Sequence, residues 1–171
     1  GAQKRVLKEI RKDMASLEVM NRLLQGDVGS GKTIVAILAS AVAVGNSAQV
    51  AVMAPTEILA HQHYHVFKSH LDAVRVPTAL LVGKQKSTER KKILAAIQEG
   101  RVNVVVGTHA IIQDEVTFQD LGLVIIDEQQ RFGVLQRGKL LSKGDNPDIL
   151  AMTATPIPRT LAITYHGDME L

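Results

Sequence analysis

The chain contains no cysteine and no tryptophan. The first absence excludes a disulfide framework and any thiolate zinc site. Aromatic residues make up only 3% of the 171 residues, so stacking bases on aromatic platforms is not an available mode of holding nucleic acid. No apolar run approaches the roughly 20 residues that span a bilayer; Ile34 to Val44 is the longest. No secretory leader is visible, and cytoplasm is the expected compartment. There is no internal repeat and no low-complexity segment. Neither sign of charge dominates: charged residues are 22% and the net charge is +3, a mild lean toward anionic partners. With 46% hydrophobic residues, the length suits one domain with a sizeable core. The chain opens at Gly1-Ala2-Gln3, within what reads as a helix, and is expected to be a fragment of a larger protein.

What is present centres on Gly26-Asp27-Val28-Gly29-Ser30-Gly31-Lys32-Thr33. The run has the form G-x-x-x-x-G-K-[ST], the phosphate-binding P-loop. Asn21 to Gln25 before it reads as a strand, and Ile34 to Val44 after it as a buried helix. The glycines allow backbone N–H groups to converge on phosphate oxygens, and the helix start adds free N–H groups and a positive dipole end. Lys32 would reach the β- and γ-phosphates of ATP, and the Thr33 hydroxyl would ligate Mg²⁺.

Strands alternate with helices along the rest of the chain. Ala2 to Leu17 has an apolar stripe at Leu7, Ile10, Met14 and Leu17, with Lys4, Lys8, Arg11 and Lys12 on a solvated face. Gln49 to Ala54 is a strand, and Thr56 caps a helix from Glu57 to about Leu71. Thr78 to Val82 is a strand, and Ser87 caps a helix that Gly100 stops. Val102 to Val106 and Leu121 to Ile126 read as strands buried on both faces. Gly133 to Leu141 and Pro158 to Thr164 read as short helices, Gly144 to Pro147 as a turn, and Ile149 to Met152 as the last strand. This order predicts an α/β fold, a mostly parallel sheet with helices on both faces.

Open parallel sheets bind ligands at the carboxyl ends of their strands. Asp127-Glu128 follows an apolar strand and so lies on the same edge as the P-loop. Asp127 would hold Mg²⁺, and Glu128 would position and deprotonate an attacking water. Adjacent residues of a strand point to opposite faces, so both roles require the strand to end here. Thr153-Ala154-Thr155 stands at the end of the last strand, where its hydroxyls could bond the residues after Asp127 and sense the nucleotide site.

Taken in order, Gly26 to Thr33, Ala54-Pro55-Thr56-Glu57, Gly107-Thr108-His109, Asp127-Glu128-Gln129-Gln130 and Thr153-Ala154-Thr155 resemble motifs I, Ia, Ib, II and III of superfamily 2 helicases. Arg131 to Val134 and Thr153 to Leu161 strengthen the resemblance to the branch-migrating DNA helicases of bacteria. The transcription-repair coupling factors rank second, because they carry a second acid where Gln129 stands and differ around Glu57. The resemblance implies that residues 1–171 form the first RecA-like motor domain, driven by ATP with Mg²⁺ and acting on branched double-stranded DNA in repair and recombination. It also implies a second RecA-like domain and an N-terminal DNA-recognition domain in the parent chain. Gln3 resembles the upstream glutamine that reads adenine. Pro55, Thr56, Thr108 and His109 match residues that hold the phosphodiester backbone, contacts that carry no sequence preference. Gln130, Thr153, Ala154 and Thr155 match the coupling residues. The arginines that neutralise the γ-phosphate come from the second domain in this superfamily, so the segment alone is expected to be poorly active.

Gln130 departs from the histidine usual at that motif II position. An amide donates and accepts but stays neutral, whereas an imidazole can charge. Of the histidines, His61 and His65 share a helix face without a third ligand, and His63, His70 and His166 show no pattern. Lys84, Lys86, Arg90, Lys91 and Lys92 read as a solvated helix face that could also touch phosphate. A GTPase reading lacks the Asn-Lys-x-Asp element that recognises guanine. A small-molecule kinase reading lacks an arginine-rich lid and does not need the Asp-Glu pair.

Overall fold

A computed structural model describes residues 2–15, 21–25, 31–127 and 133–153. The elements run α1 (Ala2–Ala15), β1 (Asn21–Gln25), α2 (Lys32–Gly45), β2 (Gln49–Met53), α3 (Glu57–Asp72), β3 (Thr78–Leu81), α4 (Ser87–Gln98), β4 (Val104–Gly107), β5 (Leu121–Asp127), α5 (Val134–Leu141) and β6 (Gly144–Thr153). A 3₁₀ turn, His109–Ile112, follows β4. Among the described residues six strands form one sheet in the order β1-β6-β5-β2-β4-β3, and the five pairings between them are parallel. All six carboxyl ends therefore share one edge.

The period of two in the apolar strands divides the core into two layers. Val50 and Val52, Val104 and Val106, Leu123 and Ile125, and Leu150 and Met152 pack with Ile10 of α1, Val35 and Ile37 of α2 and Phe67 of α3. The alternate residues Ala51, Met53, Val105, Val124, Ile126 and Ile149 pack with Ile97 of α4, the 3₁₀ turn and Leu140 of α5. Both faces are covered, which is why these strands read as continuous apolar runs. None of the helices in the described residues is long and apolar enough to cross a membrane.

Three local expectations are corrected. Gly144 to Pro147 is the start of β6, which runs from Gly144 to Thr153. Between Leu121↔Gly144 and Leu123↔Asp148 the register shifts, and Asn146 takes φ +51°. The Gly-Asp-Asn-Pro composition marks a bulge inside a strand, where the ladder is already interrupted and a missing N–H costs little. Ser87 is the first residue of α4; Lys86 holds the cap position, with no side-chain cap bond. β4 begins at Val104, two residues later than expected, because Val102 N–H instead bonds the Ala96 carbonyl at the end of α4. Thr56 does cap α3, its hydroxyl accepting from Leu59 N–H at 3.2 Å. The expected helix over 158–164, and the end of the first helix at Leu17, lie outside the described residues.

Gln49 ties the amino edge of the sheet together. Its buried amide donates to the carbonyls of Ile97 (2.9 Å) and Val102 (2.8 Å) and accepts from Asp120 N–H (2.9 Å). Gln49→Leu keeps the volume but leaves the Val102 carbonyl and the Asp120 N–H without these bonds, whereas the Ile97 carbonyl keeps its bond from Gly100 N–H. At roughly 1–3 kcal/mol per unsatisfied buried group, the domain should lose about 2 kcal/mol or more. For a domain of this size that lowers the thermal midpoint by roughly 4–8 °C. A variant melting with the wild type would remove Gln49 as the staple.

Candidate active site

The site is built where β1, β6 and β5 end side by side. Leu24 and Asp127 both pair with Met152, and Gln25 pairs with Thr153. One strand, β6, therefore separates the strand that enters the P-loop from the strand that ends in Asp127. The two lie two strand spacings apart, roughly 9.6 Å. The P-loop residues Gly26, Asp27, Val28, Gly29 and Ser30 lie outside the described residues, as do Glu128, Gln130, Ala154 and Thr155. Thr153 is buried at the end of β6.

Gly31 precedes α2 with φ +89°, in the left-handed region. Lys32 and Thr33 form the first turn of α2, and both are half-buried. No side chain caps this helix start among the described residues. Gln3 of α1 reaches the same place: a Cβ added to Gly31 would sit 1.6 Å from Gln3 Nε2. That amide is the free end of a flexible side chain and could swing aside, whereas the backbone angle could not relax. Gly31→Ala should therefore cost about 1–2 kcal/mol in loop conformation, or roughly a tenfold loss of nucleotide affinity. Nucleotide titration of the variant checks this, and wild-type affinity would contradict it.

Asp127 closes β5 and is 9% exposed. Leu123 and Ile125 face α1, α2 and α3, so Asp127, two residues on, faces the same layer. There His63 of α3 meets it: Nε2–H donates to Asp127 Oδ2 at 2.6 Å, the carboxylate being able only to accept. The His63 ring stands edge-on to Phe67, with centroids 6.3 Å apart and planes at 88°. The sequence contained a signal for this histidine. Ala60, His63, Phe67 and Leu71 recur at helical spacing on the buried side of α3, and His63 is the polar member. Asp127 and Thr33 offer a carboxylate and a hydroxyl, the hard oxygen donors that suit Mg²⁺. His61 and His65 are exposed on α3, and among the described residues no group of three or more ligating side chains could hold a metal.

The other half of the edge is formed by β2, β4 and β3. Pro55 is half-buried and Thr56 exposed just past β2, while Thr108 is buried and His109 exposed just past β4. Gly107 is required there, because a Cβ would lie 2.0 Å from the Leu81 carbonyl oxygen of β3. A pocket of about 420 Å³ opens at these ends, lined by Glu57, Gly83, Arg90, Thr108, His109 and Glu115 among others. Glu57 Oε1 accepts from Lys84 N–H at 3.3 Å. Arg90 turns into the pocket, donating from Nε to Glu115 Oε1 at 3.1 Å, whereas Lys84, Lys86, Lys91 and Lys92 are exposed.

Residues 1–163 match the DEAD/DEAH box helicase family. The chain is 54% identical over 170 residues to the ATP-dependent DNA helicase RecG of Synechocystis sp., covering 99% of this chain and 20% of that protein. It is 56% identical to the Bacillus subtilis RecG over 171 residues, all of this chain and 25% of that protein. It thus spans a fifth to a quarter of these relatives. A solved structure of RecG bound to a three-way DNA junction aligns with a TM-score of 0.86 and 49% identity, over 99% of this chain and 22% of that one. The helicase domain of Pyrococcus furiosus Hef, at 22% identity and a TM-score of 0.71 over 99% of this chain and 35% of that one, shares the fold. A parallel α/β sheet of the RecA-like kind, a glycine in the left-handed region before the Lys-Thr helix start and an aspartate two strands away agree with these likenesses, and the chain belongs to the DEAD/DEAH box helicase family.

Proposed function

We propose that residues 1–171 are the first RecA-like motor domain of an ATP-dependent helicase that acts on branched duplex DNA, with ATP hydrolysis driving translocation. The observation that carries this reading is the shared carboxyl edge. The nucleotide-type ends of β1, β6 and β5 continue without a break into the ends of β2 and β4, where Thr56 and Thr108 stand. One sheet can then feel phosphate at both halves of its edge.

In this reading the backbone from Gly26 to Gly31 and the start of α2 cradle the triphosphate, Lys32 neutralises its β- and γ-oxygens, and Gln3 meets the adenine. Thr33 and Asp127 hold Mg²⁺, which when bound neutralises charge on the transferring phosphoryl group. Glu128 takes the proton of the attacking water. Gln130, Thr153, Ala154 and Thr155 link the state of the nucleotide to the sheet edge. Pro55, Thr56, Thr108 and His109 hold the DNA backbone without reading bases, which suits movement on any sequence. The arginines facing the γ-phosphate, a second RecA-like domain and a DNA-recognition domain belong to the rest of the parent protein, and the segment alone turns ATP over slowly. Binding measured with ATP and GTP, each with and without Mg²⁺, tests the reading. Preference for ATP with a requirement for Mg²⁺ supports it; equal binding of GTP or indifference to Mg²⁺ contradicts it.

A further inference from the structure

His63 lies outside the motif stretches named above, yet its ring makes a 2.6 Å hydrogen bond to the one described carboxylate at the nucleotide half of the edge. Both side chains are withdrawn from water, with 15% and 12% of their surfaces exposed. A carboxylate at this depth needs a donor, and an unanchored one could turn about its terminal torsion. The histidine supplies the donor and fixes the torsion, because its own ring cannot move freely. Phe67, one turn further along α3, is fully buried in the core with Val52 and Ile125 and meets the ring edge-on. With Oδ2 occupied by His63, the other oxygen of Asp127 is the one left for a metal.

We propose that His63 is a positioning residue for Asp127, holding its carboxylate in the orientation that binds Mg²⁺ and tying it to α3. This rests on Asp127 being a metal ligand, as argued above. Thr56 stands just before α3, its hydroxyl capping the first turn, and is a candidate DNA contact. Seven residues of helix, about 10 Å, separate Thr56 from His63. A shift of the helix start on DNA is thereby carried as a rigid-body movement to the carboxylate. Hydrogen-bonding partners of metal-binding side chains typically contribute about 10–100-fold to metal affinity.

The experiment is carried out in the intact protein with a fluorescent, non-hydrolysable ATP analogue. Its affinity is measured in EDTA and across a Mg²⁺ titration for the wild type, His63→Ala and His63→Gln. Glutamine can put an amide N–H near the place of Nε2. The expected result is an unchanged affinity in EDTA for all three, a Mg²⁺ requirement raised about 10–100-fold in His63→Ala, and substantial recovery in His63→Gln. Adding branched duplex DNA should shift the Mg²⁺ requirement of the wild type and leave that of His63→Ala unmoved. Wild-type affinity that ignores Mg²⁺ overturns the metal reading and this inference with it. A Mg²⁺-dependent wild type with an unchanged His63→Ala, or with His63→Gln as impaired as alanine, overturns the inference alone. Loss of EDTA binding in His63→Ala reduces His63 to a packing residue and also overturns it. An equal DNA-induced shift in the wild type and His63→Ala overturns the link through α3.

Discussion

Glu128→Gln should leave Mg²⁺–ATP affinity within a few-fold of wild type while lowering turnover by about 10²–10⁴, the usual contribution of a general base. The physical basis begins with the strand. β5 runs to Asp127, which pairs with Met152, and Glu128 is the next residue in sequence. Within a strand Glu128 would point away from the α1–α3 layer that Asp127 faces. A role as base on the same site therefore requires the strand to end at Asp127. The amide keeps the size of the carboxylate and removes its basicity, so a base should be lost without disturbing the phosphate contacts. Equilibrium titration and steady-state turnover together decide. A variant that loses binding and turnover in parallel assigns Glu128 to metal binding or structure instead.

Lys32→Ala has a different signature: turnover lower by about 10²–10³, with affinity for the triphosphate also reduced. Lys32 is the first residue of α2 and half-buried. The helix does not depend on it, because Val35, Ala36, Ile37 and Ala39 anchor it in the core. Helix-start N–H groups remain in the variant, so weak phosphate binding persists. The paired measurement separates the two acts: Glu128→Gln splits binding from chemistry, and Lys32→Ala depresses both. Near-normal turnover in Lys32→Ala would sink the phosphate assignment.

The parallel sheet was legible because Val104 to Val106 and Leu123 to Ile126 could be buried on both faces only with helices on each side. Strand order was not legible, since nothing in residues 144–153 announces that they insert between β1 and β5. The start of β6 was misread for a local reason: Asn146 and Pro147 have turn chemistry whether they end a strand or bulge it. Gly31, Lys32, Thr33 and Asp127 could be read from motif spacing, which depends on short stretches of contiguous backbone. His63 could not, because it meets Asp127 only through the tertiary packing of α3 on the sheet, across 64 residues of chain. Its inward position on a helical stripe was visible, but not what it faces. Gln49 escaped for the same reason: all of its partners are remote, and as a single polar residue heading a strand it looked like a boundary.

The sheet also carries an order in time. β2, β3, β4 and β5 are made from residues 49–127 and pair among themselves. β1 comes earlier in the chain, yet its partner is β6, Asn21 lying against Ile149. Pairs so distant in sequence close late, because the loop entropy must be met before the contacts return anything. During synthesis from the amino end, the segment with Thr56 and Thr108 can assemble while the strand leading into the P-loop still waits. The nucleotide half of the edge is complete only after Thr153 has left the ribosome. In the proposed reading an emerging chain would thus acquire the half of the edge assigned to DNA before the half assigned to ATP, and nucleotide binding would report that β6 has closed on β1.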